Sequence, residues 1–205
     1  LVLVGKEMSV EEVLTEILSD KPFYEKSGGG ITLSGGEPLL QLEFSTALLD
    51  ACRRENIHTA VETAGNVRWE HIESLLPFLD LIMMDLKQMD SEKHCRVTGV
   101  PNERILDTAR RLAETELPLI FRNPVIPTVN DSPEEIEAIA QFVKKLRSIR
   151  GGDSASISLE LLPFHPLAGD KYRGLDMENK AGDLQQLPEE RMEQFRGIVD
   201  RVLSQ

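Results

Sequence analysis

The chain has 205 residues, 40% of them hydrophobic and 28% charged, enough for one substantial core and within the single-domain range of α/β proteins. Asp and Glu outnumber Lys and Arg by 35 to 23, a formal net charge of -12, and no basic run is interleaved with aromatics, so nucleic acid is not expected as a partner. No apolar run reaches transmembrane length and no basic-then-apolar leader occurs, which points to no membrane partner and a cytoplasmic setting. The two cysteines, Cys52 and Cys95, lie far apart within helical patterns and read as reduced thiols rather than a disulfide framework. The opening LVLVG reads as the end of an earlier element, so the expectation is a piece of a longer protein in which residues 1–205 form one domain.

In chain order, Val10, Val13, Ile17 and Leu18 recur at helical spacing behind a Ser9-x-x-Glu12 capping box, predicting a helix from Ser9 to Ser27. A strand at Ile31–Leu33 follows, then a Gly-Gly-Glu turn and a helix over about 41–55. The pattern recurs with a strand at 58–62 and a helix at 69–78, then a strand at 81–84 and helices reaching about residue 114. A strand at 118–125 leads through PTVND to a helix at 133–149, where Asp131 or Ser132 can cap and Pro133 suits the first turn. A last strand at 157–163 precedes a closing helix at 188–203, and residues 150–156 and 168–187 read as loops.

Nearly continuous apolar strands alternating with amphipathic helices imply α/β architecture, a parallel sheet covered by helices with right-handed crossovers. About five such units make a partial β/α barrel, where about eight would close one. Ligands bind at the carboxyl ends of such strands. The groups found there are Ser34-Gly35-Gly36-Glu37, Glu62-Thr63-Ala64-Gly65, Asp85-Leu86-Lys87, Arg122-Asn123-Pro124 and His165. The set favours a zwitterionic small molecule: Glu37 for an ammonium, Lys87 and Arg122 for a carboxylate, and the bare backbone of the glycine turn for close approach. Glu62 and Asp85 are read either as holding a hard cation or as acids paired with Lys87. His165 is read as a binding residue, whereas His58, His71 and His94 are read as structural. No Gly-x-Ser-x-Gly elbow, His-Glu-x-x-His or Cys-x-x-Cys is present, which excludes the common hydrolase and self-contained zinc sites.

GGGITLSGGEPLLQ, IHTAVETAG, DLIMMDLKQMD, RVTGVPNERIL, RNPVIPTVND and LELLPFHPLAGDKY, in this order and across nearly the whole chain, resemble the activating enzymes of glycyl radical enzymes, such as those of pyruvate formate-lyase, within the radical S-adenosylmethionine superfamily. The resemblance implies a partial barrel of the radical SAM type and a cofactor set of S-adenosylmethionine and a [4Fe-4S] cluster. It implies that Gly35, Gly36 and Glu37 hold the cofactor's amino group, that Asp85, Leu86 and Lys87 form the Asp-x-Lys element, that Arg122 lies near the cofactor and that His165 meets its nucleoside. Glu62, Thr63, Met83 and Asp85 fall where relatives place a monovalent cation, although relatives often carry Asp at the position of Glu62. Asn123 and Pro124 replace an apolar pair.

The family's Cys-x-x-x-Cys-x-x-Cys loop is missing from this sequence, as is a ferredoxin-like insert, and two distant cysteines make no compact site. The resemblance therefore implies a stretch that begins after the cluster region, lacks the first strand and is inactive alone. The intact protein would reductively cleave S-adenosylmethionine to a deoxyadenosyl radical and place a radical on a glycine of a partner enzyme, with flavodoxin or ferredoxin as electron donor. A non-catalytic β/α module for a small ligand or a partner, and an aldolase or isomerase using Lys87, are the alternative readings.

Overall fold

The computed structural model describes residues 5–151, 156–167, 169–179 and 181–204. The expected earlier element at residues 1–4 and most of the expected loop at 150–156 lie outside the described residues. Five strands, β1 (Gly30–Leu33), β2 (His58–Thr63), β3 (Leu81–Asp85), β4 (Leu119–Val125) and β5 (Ile157–Pro163), form one sheet in sequential order. Every neighbouring pair is parallel. Sequential order with right-handed crossovers puts the connecting helices on one side of the sheet, the arrangement of a partial β/α barrel rather than a doubly wound sheet.

The helices are α1 (Val10–Ser19), α2 (Lys21–Ser27), α3 (Leu42–Arg54), α4 (Trp69–Leu75), α5 (Ser91–Thr98), α6 (Glu103–Ala113), α7 (Pro133–Arg150), α8 (Gly169–Gly174) and α9 (Glu189–Leu203). The capping box forms: Ser9 Oγ accepts from Glu12 N at 3.2 Å and Glu12 Oε2 accepts from Ser9 N at 2.8 Å. The single helix expected over 9–27 breaks at Asp20, because Pro22 has no N–H to continue the ladder but fits the first turn of a new helix. Residues 38–41 form a 3-10 turn ahead of α3, and α8 interrupts the loop expected at 168–187.

One face of the sheet carries Val61, Ile82, Met84, Leu119, Phe121 and Ile157, all buried with Leu48, Leu49, Leu112 and Val143 from the helices in the main core. A second cluster joins Val125, Ile136 and Ala140 to Met192, Phe195 and Val199 of α9. The other face departs from the continuous apolar pattern. Along β4 burial alternates, so that Ile120, Arg122 and Pro124 stay partly exposed between buried Leu119, Phe121, Asn123 and Val125. Register places Glu62 beside Met83, Met83 beside Ile120, and Asp85 beside Arg122 beside Glu160 on this partly open face. Gly30 allows the edge strand to approach, since a Cβ there would lie 1.9 Å from the His58 carbonyl oxygen. No helix among the described residues is long and apolar enough to cross a membrane.

Candidate functional site

The sheet brings the expected rim together at the carboxyl ends of its strands. After β1 the chain turns at Gly35, whose φ of 121° strains any residue with a Cβ. A Cβ at Gly35 or Gly36 would meet nothing within 4 Å, so the space over this backbone is open. Glu37, expected to offer its carboxylate to an ammonium, is heavily engaged within the chain. Its oxygens accept from Leu39 N at 3.3 Å, Ala64 N at 3.0 Å and Thr63 Oγ1 at 2.8 and 2.9 Å. The carboxylate caps the 3-10 turn and ties it to the end of β2, which fixes where the bare glycine backbone sits.

On the open face Arg122 lies between two acids, with Nη1 3.0 Å from Glu62 Oε1 and Nε 3.1 Å from Glu160 Oε2. Glu62 also accepts from Ser34 Oγ at 2.7 Å, and that hydroxyl, followed by the Arg122 guanidinium, holds its carboxyl below the usual carboxylate range against the opposing effect of burial. The pairing of Glu62 with Lys87 weighed from sequence gives way to Arg122, which carries two carboxylates, while Lys87 pairs with Asp85. Lys87 Nζ stands 3.0 Å from Asp85 Oδ2. The two charges line a pocket of about 230 Å³ between the ends of β2 and β3 and helix α5.

Behind this pair, buried polar side chains, of which sequence reading places only Asn123 at the rim, clamp the turn after β3. Asn123 Nδ2 donates to Leu86 O at 2.6 Å, Asn130 Nδ2 to Lys87 O at 2.7 Å, and Asn102 Nδ2 to Gln88 O and Met89 O, both at 2.9 Å. Glu135 Oε1 accepts from Met89 N at 2.5 Å. Burial raises the Glu135 pKa above its usual 4.5, outweighing the Met89 hydrogen bond and Lys93. An acid with a raised folded-state pKa costs nothing below its unfolded value, and the cost grows as pH rises through the folded value. Glu135→Gln keeps an acceptor for Met89 N without the charge, and is expected to raise the melting temperature by about 2–4 °C at about pH 7 and leave it unchanged near about pH 4. Glu135→Ala, which orphans Met89 N, is expected to lower it at both, a comparison read by thermal unfolding monitored by circular dichroism.

Leu86 is buried, its N–H donating to Arg122 O at 2.8 Å. His165 is exposed beyond β5 and makes no hydrogen bond or ion pair to the rest of the set among the described residues. The four residues read as a cation site have their polar side chains engaged otherwise: Glu62 with Ser34 and Arg122, Thr63 with Glu37, Asp85 with Lys87, while Met83 is buried. Among the described residues no group of three or more His, Cys, Asp and Glu is placed to hold a metal ion. The thiols do not fit an iron–sulfur cluster, since Cys52 is buried in α3, Cys95 is exposed on α5, and the sequence has no third. The donor set does fit an amino-acid end of a ligand: an anion and a cation side by side on one pocket.

Residues 3–143 match the model of the radical SAM superfamily. The chain belongs to the radical SAM superfamily. Among curated members of it, the isethionate sulfite-lyase activating enzyme of Nitratidesulfovibrio vulgaris is 40% identical over 201 residues, 97% of this chain and 62% of that one. The (2S)-3-sulfopropanediol dehydratase activating enzyme of Klebsiella oxytoca is 45% identical over 178 residues, 87% of this chain and 55% of that one. The chain thus spans little more than half the length of these two radical SAM relatives. A crystal structure of a domain of a pyruvate-formate lyase-activating enzyme from Bacteroides vulgatus superposes with a TM-score of 0.68 at 34% identity, covering 85% of this chain and 94% of that domain.

Proposed function

We propose that residues 1–205 form a single radical SAM core that binds S-adenosylmethionine in a protein that activates a glycyl radical enzyme. The observation that carries this reading is the Asp85–Lys87 pair, opposite charges 3.0 Å apart on one pocket, which matches the ammonium and carboxylate of the cofactor's methionine end. When bound, S-adenosylmethionine supplies a sulfonium whose carbon–sulfur bond is the one broken. Lys87 takes the carboxylate. Asp85 and the open backbone of Gly35 and Gly36 take the ammonium, with Glu37 setting the position of that backbone. His165, beyond β5, is left for the nucleoside. Arg122, between Glu62 and Glu160, ties the ends of β2, β4 and β5 together across the rim. Cysteines other than Cys52 and Cys95 would hold the cluster. A cytoplasmic setting, a glycyl radical enzyme and an electron donor such as flavodoxin or ferredoxin complete the reading.

Equilibrium dialysis with labelled S-adenosylmethionine tests it. One saturable site per chain, emptied by S-adenosylhomocysteine and untouched by ATP, which shares the nucleoside but has no amino-acid end, is the expected result. Absence of saturable binding, or competition by ATP alone, would overturn the reading.

A further inference from the structure

Helix α5 forms one wall of the pocket lined by Asp85 and Lys87, through His94, Thr98 and the following Val100. It is a thinly held wall. Of its eight residues only His94 is buried, so little apolar packing fixes where the helix stands. The contacts of that ring are local, with Nδ1 2.7 Å from Val100 O and 3.0 Å from Thr98 Oγ1. Thr98 Oγ1 in turn donates to the carbonyls of His94 or Val100, within the same stretch. Beyond these, Ser91 is the one side chain of α5 with a hydrogen bond among the described residues: its Oγ donates to Glu103 Oε1 at 2.6 Å and accepts from Asn102 N at 3.4 Å.

Asn102 joins the two ends of this stretch. It stands at the N-cap of α6, where an Asn side chain ordinarily accepts from the first turn of the helix, yet it makes no capping bond there. It is 2% exposed, and its Nδ2 gives both hydrogens to the turn after β3, to Gln88 O and Met89 O, each at 2.9 Å. Those carbonyls follow Lys87 directly in the chain and lead into Asp90, whose carboxylate caps α5 by accepting from Lys93 N at 2.8 Å. One amide thus fastens the exit of the α5 stretch to its entrance, next to the ion pair. We infer that Asn102 is a positioning residue for the pocket: through Gln88 O and Met89 O it sets where the α5 wall stands against Asp85 and Lys87, an inference that rests on the pocket's taking the amino-acid end of S-adenosylmethionine. Loosening that wall lowers the fraction of molecules in the binding geometry, and the apparent affinity falls with that fraction.

Hydrogen–deuterium exchange read by mass spectrometry, paired with calorimetric titration, tests this. Asn102→Ala removes two hydrogen bonds and is expected to speed exchange over α5 about 10- to 30-fold in the ligand-free protein, to leave exchange over β2 unchanged, and to weaken S-adenosylmethionine about tenfold. Phe195→Ala, which costs stability in the α9 cluster, is expected to leave both α5 exchange and the affinity as they are. In the unsubstituted protein, S-adenosylmethionine is expected to slow exchange over α5 but not over α2, which also lacks apolar anchoring, having no buried residue, and enters β1 at the opposite end of the sheet. Exchange in Asn102→Ala that rises everywhere alike, that does not rise in α5, or that rises in α5 with unchanged affinity would show that Asn102 serves the fold alone and would overturn the inference. So would α5 exchange that S-adenosylmethionine does not slow in the unsubstituted protein, a measurement that needs no folded variant. Each of these leaves the site reading in place, whereas failure of the unsubstituted protein to bind S-adenosylmethionine overturns both.

Discussion

Lys87→Ala is expected to lower the affinity for S-adenosylmethionine by about 10- to 100-fold while moving the melting temperature only a few degrees. The first figure is the worth of a charge-assisted hydrogen bond to a carboxylate that loses its partner. The second follows from the pair's exposure: Lys87 and Asp85 side chains are 36% and 21% exposed, so solvent screens them and the bridge contributes about 1 kcal/mol or less to folding. Removing Lys87 also frees Asp85 for the ligand's ammonium, which softens the loss and makes a decarboxylated analogue the informative control. That analogue has no carboxylate to offer Lys87, so its affinity is expected to hold or rise in Lys87→Ala. Lys87→Arg is expected to recover only part of the binding, because a planar guanidinium does not replace a compact ammonium on a short turn. Calorimetric titration of the three proteins with the two ligands reads all of this. Equal losses for both ligands would mean that Lys87 supports the turn and does not meet the carboxylate.

Much of the backbone was readable because its signals are local. Ser9 with Glu12 and Ser132 before Pro133 cap the helices they were expected to cap, and β5 has the expected ends. The rim was readable for a different reason: once parallel order is inferred, the last residue of each strand must lie at one end of the sheet, whatever the side chains do. What each side chain does there was not readable. Glu37 was expected to face outward to a ligand, but its partners Thr63 and Ala64 come from the next strand, 26 and 27 residues on. The same limit hid the clamp behind Lys87, whose hydrogen bonds span 13 to 46 residues. Asn123 looked like a departure from an apolar pair, and in the structure it is a fully buried donor to Leu86 O. His94 carried one local sign, an isolated imidazole four residues before a Thr-Gly helix end. Nothing nearby in sequence told that its ring borders Asp85 and Lys87.

Asn130 carries the largest expected effect on stability. It is 2% exposed and makes three hydrogen bonds with main-chain groups: Oδ1 accepts from Ile126 N at 2.6 Å, and Nδ2 donates to Pro124 O at 2.9 Å and Lys87 O at 2.7 Å. It thus ties the loop after β4 to itself and to the turn that presents Lys87. Asn130→Ala removes all three at once and leaves a part-buried N–H and the part-buried Pro124 carbonyl short of partners, while Lys87 O keeps only the longer bond from Asn123 Nδ2 at 3.4 Å, at about 1–3 kcal/mol for each group left unsatisfied. With partial relief from water, the sum is expected at about 3–5 kcal/mol, in the range reserved for broken buried networks. Asn130→Asp keeps the acceptor for Ile126 N but sets a carboxylate against two carbonyls, so it is expected to be no better at neutral pH and to recover when the acid is protonated. Because Lys87 O is one of the three, the ligand's carboxylate contact should loosen before the fold is lost. Under conditions where Asn130→Ala is still folded, S-adenosylmethionine is expected to bind more weakly, whereas the equally buried Phe195→Ala in the α9 cluster, which makes no hydrogen bond to this turn, should lose stability and keep its affinity. Urea unfolding paired with calorimetric titration separates the two, and unchanged affinity in folded Asn130→Ala would show that the clamp stabilises the fold without placing Lys87.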